Sequence, residues 1–333
     1  RWPEISLMQA RQEARRRRKT LGLEPPRGYV LNDAFKLWCG LKKGRIVSYA
    51  DERRRLERYL IKPLGRRQID EISAPLVITT VKHIEAEGHQ ATLKRVLMRT
   101  HEILDLAVCA GYIHHNPCER LSRVFAAPVV TPMPAPEWHE LPNIMQVMKS
   151  APVRMRILFL FSTCSMLRPG ENAKLKRSWI DGDILTIPAK EMKMGRMHRV
   201  PLTVFMKQLL EAELRLSPHP RGDVIFAAKQ AGKHISTQTL AKYLHSTQLS
   251  GKLVAHGLRS MARSWMADQE ISFEVAEACL SHVAGSSVSR AYQRSDFLTA
   301  RVLVMTRWST FIKRCAREAD MLDGILEPER DKI

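Results

Sequence analysis

The sequence predicts a mainly α-helical protein in two parts, a helical bundle followed by an α-rich domain that carries a small antiparallel β-hairpin. Three observations lead there. Apolar residues recur at helical spacing through most of the chain, one short stretch alternates as paired strands do, and a proline-rich stretch without periodicity separates the two parts. With 333 residues, 44% of them hydrophobic, the chain can bury a sizeable core, and its length is more typical of two domains than of one.

The first element is a helix from Ile5 to Leu21, capped by Ser6 and ended by Gly22 and the pair Pro25-Pro26, with the basic run Arg15 to Lys19 near its end. Leu31, Ala34, Phe35, Trp38 and Cys39 then repeat at helical spacing. So do Leu56, Tyr59 and Leu60, in a segment that Pro63 is expected to stop. A third helix follows Ser73, placed as an N-cap before Ala74 and Pro75, and runs to Gly88; a fourth runs from Ala91 to Gly111. Four helices with short connections make a small bundle. Between Ala127 and Pro142 five prolines mark a linker. Helical runs resume at Ile144 to Ser150 and Val153 to Met166. Ile184 to Pro188 then face His198 to Leu202 across a turn containing Lys and Gly, which reads as a β-hairpin. The remainder reads as helical to about Leu322. The expected boundaries are 1–26, 27–126, 127–142 and 143–333.

Charge narrows the function. Lys and Arg number 54 against 34 Asp and Glu, a net charge of +20, so the chain needs an anionic partner: DNA, RNA or an anionic membrane surface. At 6% aromatic residues it has little material for base-stacking platforms, which favours the duplex backbone over single strands. No run of about 18 apolar residues and no basic amphipathic helix with bulky aromatics appears, so no membrane role is expected. The six cysteines lie far apart without a CxxC pair and read as free thiols of a reducing cytoplasm. There is no glycine-rich phosphate loop, no HExxH and no close carboxylate cluster for paired metal ions. A metal-dependent nuclease or an ATPase is therefore not expected, and neither metal nor cofactor is predicted. In the first block Arg53, Arg54, Arg55, Arg58, Lys94, Arg95 and Arg99 cluster at exposed helical positions, suited to a DNA backbone.

The second block holds cations and hydrogen-bond donors near element ends: Arg168 with Glu171, Lys193 in the hairpin turn, His256 with Arg259, His282, and Tyr292. Each alone reads as ordinary structure. LRPGE is a turn opening a helix with Glu171 in its first turn, Lys193 is a solvated lysine, and His256 and Arg259 share a helical face. Their order is what carries information. LRPGE with Ser178 to Asp181, IPAKEMKMGRMHRVPLT (Ile187 to Thr203), HGLR (His256 to Arg259), CLSH (Cys279 to His282) and AYQRSD (Ala291 to Asp296) follow one another in the order Arg, Lys, His-x-x-Arg, His, Tyr.

In this order the chain resembles the tyrosine recombinases, the phage integrase family, and within it the integrases of satellite phages and genomic islands. The helical block resembles the family's core-binding domain, notably in AGYIHHNPCERL (Ala110 to Leu121). The resemblance covers nearly the whole chain and implies a site-specific recombinase of mobile DNA that works without metal or ATP. It implies that Tyr292 attacks the scissile phosphate to give a 3′-phosphotyrosyl link, that Arg168 and Arg259 stabilise the charge of the transition state, and that Lys193 protonates the leaving 5′-oxygen. His256 would handle the tyrosine proton or a phosphate oxygen, His282 would donate to the phosphate, and Glu171 would orient its neighbours. The implied partners are duplex DNA at attachment core sites, three further copies in a tetramer, a DNA-bending host protein and an excisionase, in the bacterial cytoplasm. The tail after Tyr292 would dock on a neighbouring subunit.

Two departures stand out. The opening segment resembles only the last helix of an arm-binding domain, and the chain lacks an initiator Met, so a fragment without arm-site binding is expected. Ser281 stands where the family more often has glycine, which is tolerated in an αR backbone but strained at positive φ. A type IB topoisomerase uses a similar residue set, and a non-catalytic DNA-binding protein descended from an integrase is the alternative of another class. The block before the linker and the spacing from HGLR to Tyr292 favour the recombinase, and the intact residue set argues against decay.

Overall fold

A computed structural model describes residues 6, 9, 12–13, 16, 28–127, 133–282 and 295–326. It divides into two compact units, 1–131 and 132–333. At the start of the chain, Gln9 N donates to Ser6 Oγ (3.2 Å), the cap expected of Ser6, and Ser6 N donates in return to Gln9 Oε1 (2.8 Å).

The first unit is a bundle of α1 (Leu31–Lys42), α2 (Tyr49–Leu56), α3 (Ala74–Ala86) and α4 (Gln90–Cys109). Its core is built from the positions that recur at helical spacing, including Leu31, Ala34, Phe35, Trp38, Leu56, Leu60, Val81, Val96 and Leu104. Pro63 does not stop the second helix as expected. A π turn, Glu57–Ile61, follows α2, and Lys62 N donates to Glu57 O five residues back. This wider register carries the chain past the missing N–H of Pro63, which starts a last helical turn, Lys62–Leu64. The stop is Gly65, whose N donates to Ile61 O at 2.7 Å and where a Cβ would lie 2.5 Å from that same oxygen. Ser73 stands at the N-cap of α3, but its hydroxyl makes no capping bond.

In the second unit Pro142, expected in the linker, lies in the first turn of α5 (Leu141–Met148). Next comes α6 (Val153–Ser165), buried along nearly its whole length and the centre of the domain. After a short α7 (Pro169–Ala173) a three-stranded antiparallel sheet forms from β1 (Ile180–Asp181), β2 (Ile184–Ile187) and β3 (His198–Pro201). The predicted hairpin pairs Ile184 with Pro201 and Ile187 with His198. β1 adds a strand that two residues of alternation could not signal. Helices α8 (Val204–Leu216), α9 (Thr239–His245), α10 (Gly257–Asp268), α11 (Phe273–Cys279) and α12 (Leu298–Glu318) follow among the described residues.

Residues 217–238, expected to be helical, are irregular. Pro218, Pro220, Gly222 and Gly232 interrupt any helical ladder, and isolated bridges such as Lys176 to Val224 hold the segment to the body. α12 buries Val304, Met305, Trp308, Ile312 and Cys315, and Trp308 Nε1 donates to Thr163 O of α6 at 2.8 Å. Cys118, Cys164, Cys279 and Cys315 are buried free thiols, and burial pushes those of Cys118 and Cys164 up to about 12. Cys109, by contrast, is exposed. Among the described residues no helix is long and apolar enough to cross a membrane.

Candidate functional site

The site is built where α6 ends. Met166, buried and left-handed at φ 56°, turns the chain sharply out of that helix. The turn is held by a buried network: Asn172 Nδ2 donates to Ser162 Oγ (3.0 Å) and to Leu167 O (3.4 Å), and Ser165 Oγ donates to Asn172 Oδ1 (3.3 Å). Arg168 therefore arrives as the N-cap of α7, with Pro169 in its first turn. Glu171 reaches back to accept from Arg168 N at 2.9 Å and from Arg168 Nη1 at 2.8 Å, which leaves the rest of the guanidinium fork for another partner.

α10 begins at His256, its N-cap, with Arg259 in the first turn. Gly257 is required there, because a Cβ would lie 2.7 Å from Pro134 O. Arg259 is only 3% exposed. Its Nη1 donates to Met166 O, its Nη2 donates to Leu280 O at 2.6 Å and lies 3.1 Å from His282 Nε2, and its Nε is buried without a partner among the described residues. Burial first, and then the charge of Arg168, lower its pKa to about 10, so it stays charged at neutral pH.

Helix α11 delivers His282. The helix closes with Ser281 at φ 52°, Ser281 N donating to Ala278 O (3.1 Å) and His282 N to Glu277 O (2.9 Å). His282 Nδ1 donates to Glu277 Oε2 at 2.9 Å, while Glu277 Oε1 accepts from Arg263 Nε at 2.9 Å. In the neutral ring this leaves Nε2 as the acceptor facing Arg259. Burial, and then Arg259, Arg168, His282 and Lys193 in that order, hold the His256 pKa below its usual 6.5. Lys193 stands exposed in the turn between β2 and β3.

Arg168, Arg259, His256 and His282, with Lys193 acting on His256, thus surround one cationic centre, and Glu171 is bound to Arg168. Tyr292 lies outside the described residues. Sequence reasoning did not pick out Glu277, Arg263 or the buried His198. Glu277 and His282 were findable as an i, i+5 pair across a helix end; His198 had no local signal. Burial, and then the charges of Arg301, Arg259 and Arg168, press the His198 pKa to about 3. Its Nε2 is buried without a partner. Among the described residues no group of three His, Cys, Asp or Glu is placed to hold a metal ion.

The basic cluster of the first unit is differentiated. Arg53 pairs with Glu57 (2.8 Å), Arg54 with Asp51, and Arg58 lies over the Tyr59 ring; these three, with Lys94 and Arg95, stay exposed. Arg99 is different. Its side chain is 15% exposed and bridges Glu102 (2.6 Å) and the buried Glu52 (3.5 Å), tying α2 to α4.

Residues 137–298 match the phage integrase family, and residues 33–124 match the phage integrase central domain. The prophage integrase IntA of Escherichia coli K12 is 33% identical over 283 residues, covering 83% of this chain and 68% of the relative. The chain belongs to the phage integrase family. It is a tyrosine site-specific recombinase. The integrase of Enterobacteria phage P4 is 24% identical, over 93% of this recombinase and 78% of its own length. The fold is shared with a lambda integrase dimer bound to a COC′ core site: TM-score 0.62, 18% identity, 80% of this chain and 96% of that one. A lambda integrase tetramer bound to a Holliday junction gives a TM-score of 0.64 at 18% identity, over 80% of this chain and 78% of that one.

Proposed function

We propose that this recombinase cuts and rejoins duplex DNA at attachment core sites of a mobile element through a 3′-phosphotyrosyl link to Tyr292, as a tetramer on DNA. The tyrosine oxygen attacks the scissile phosphorus, the 5′-oxygen leaves as a hydroxyl, and attack of a partner strand's 5′-hydroxyl reverses the step. One phosphodiester is exchanged for another, so the bond is conserved without an external energy source.

The observation that carries this reading is the pair of guanidiniums with uncommitted donors. Among the described residues Arg259 has a buried Nε without a partner, and Arg168 has one terminal nitrogen bonded, to Glu171. Two neighbouring guanidiniums that each keep an unbonded N–H suit the non-bridging phosphate oxygens and the negative charge that grows on them. Glu171 orients Arg168. Glu277 behind His282 holds its ring in place through Nδ1, so that Nε2 is turned toward the phosphate once the DNA occupies the site. His256 is neutral at pH 7 and accepts the tyrosine proton; Lys193 gives one to the leaving oxygen, a role worth roughly 10²- to 10⁴-fold in rate. Arg53, Arg54, Arg58, Lys94 and Arg95 are the phosphate contacts of the first unit.

Incubation with a nicked suicide duplex carrying the attachment core tests the reading. A covalent complex that survives SDS and disappears in Tyr292→Phe is expected. No complex on the matching site, or a complex that persists in Tyr292→Phe, rejects it.

A further inference from the structure

A second polar cluster joins the hairpin to the start of α12. Arg199, one register step from the last rung of the hairpin, donates from Nε (2.8 Å) and Nη2 (2.7 Å) to the same Asp296 Oδ2. Arg301 holds the main chain of both: its Nη2 donates to Arg199 O at 2.5 Å and its Nη1 to Asp296 O at 3.4 Å. Phe297, left-handed at φ 52°, and its N–H bond to Ser295 Oγ (3.1 Å) make the junction into α12 a defined turn.

A guanidinium that is 1% exposed has given up its hydration, and Arg301 does so on a helix whose other buried positions are apolar save for Ser309. What it does is fix β3 against residues 296–301, about a hundred positions away in sequence. His198, on the opposite face of the strand, adds no bond from its buried Nε2.

The placement matters for chemistry. Lys193 lies in the turn that begins and ends at the Ile187 to His198 rung, and Asp296 comes four residues after Tyr292 in sequence. We propose that Arg199, Asp296 and Arg301 form a latch that positions the hairpin, so that proton delivery by Lys193 depends on the docking of residues 295–301. Arg199 and Asp296 are positioning residues in this scheme. The inference rests on the reading of Lys193 as the general acid. An exposed ion pair of this kind contributes little to stability, but a proton donor displaced by about 1 Å loses about 10²-fold in rate.

Single-turnover cleavage of two suicide duplexes tests it, one ordinary and one with sulfur in place of the scissile 5′-bridging oxygen. A thiolate leaves without being protonated, because thiols ionise near neutral pH, so sulfur removes the need for the general acid. Asp296→Ala and Arg199→Ala are expected to cut the ordinary duplex about 10- to 100-fold slower. DNA affinity should stay within about 2-fold, the melting temperature should hold, and sulfur should restore a rate near wild type, as it does for Lys193→Ala. Wild-type rates on the ordinary duplex, equal slowing on both duplexes, or slowing that follows lost affinity or lost folding overturns the latch. If sulfur fails to rescue Lys193→Ala, the general-acid reading falls and takes the latch with it. If it rescues Lys193→Ala but neither latch variant, the latch alone falls.

Discussion

Ser281 shows how a single backbone angle bears on the site. Family resemblance made glycine the expected residue, and the condition for tolerating serine was an αR backbone; the observed φ of 52° is the strained alternative. An L-residue there costs roughly 1 kcal/mol, offset in part by the extra freedom that glycine has in the unfolded chain. Ser281→Gly is therefore expected to stabilise the catalytic domain by about 0.5 kcal/mol and to leave cleavage intact; a lower melting temperature would mean that the serine side chain makes a compensating contact. His198 makes a pH prediction. Its folded pKa of about 3 lies below its unfolded 6.5, so the unfolded chain binds the extra proton. Its contribution is complete above pH 6.5 and is lost as pH falls toward 3, by about 1.4 kcal/mol per pH unit. His198→Gln should flatten the fall in denaturation midpoint between pH 6.5 and 5; an unchanged slope would assign that fall to other groups. The need for Arg168 and Arg259 was legible from residue type and order. That Arg259 is buried against Met166 O was not, because 93 positions separate them.

Elements were legible where local chemistry decides them. Apolar periodicity, Ser6 as a cap, Pro169 after Arg168 and the Lys- and Gly-containing turn between paired strands each act within a few residues. The failures were also local in cause. Pro63 looked like a stop, yet a π turn carries the chain past it to Gly65, and residues 217–238 lack periodicity because their prolines and glycines outweigh the helix formers around them. At the N-terminus of α10 the close approach of Pro134 O allows no side chain at 257. Gly257→Ala should cost roughly 1–3 kcal/mol and displace His256 and Arg259 together, which is checked by melting and by loss of the covalent complex. Lys193→Ala, on an exposed turn, should melt as wild type does and bind the duplex equally well, while cleaving it 10²- to 10⁴-fold more slowly. Equal loss of binding would make Lys193 a phosphate contact instead.

For the whole molecule, a net charge of +20 makes affinity for duplex DNA a function of salt. Each phosphate contact contributes about −0.9 to the slope of log K against log salt. Lys94→Ala and Arg95→Ala should each make that slope shallower by about 1. Arg99→Ala should instead destabilise the first unit with little change in slope, since its guanidinium is spent on Glu52 and Glu102. A slope change with Arg99→Ala equal to that of Lys94→Ala would return Arg99 to the DNA surface.

By itself the sequence determined the helical class, the position of the hairpin, the need for a polyanionic partner and the residue types of a phosphoryl-transfer site, for these depend on composition and on neighbours a few positions apart. Tertiary structure alone decided which side chains meet. It paired Arg259 with Met166 and His282, separated the exposed arginines from Arg99, and tied Arg199 to Asp296 across 97 positions. Contacts at that separation arise only when packing has closed the intervening chain, so no local pattern announces them.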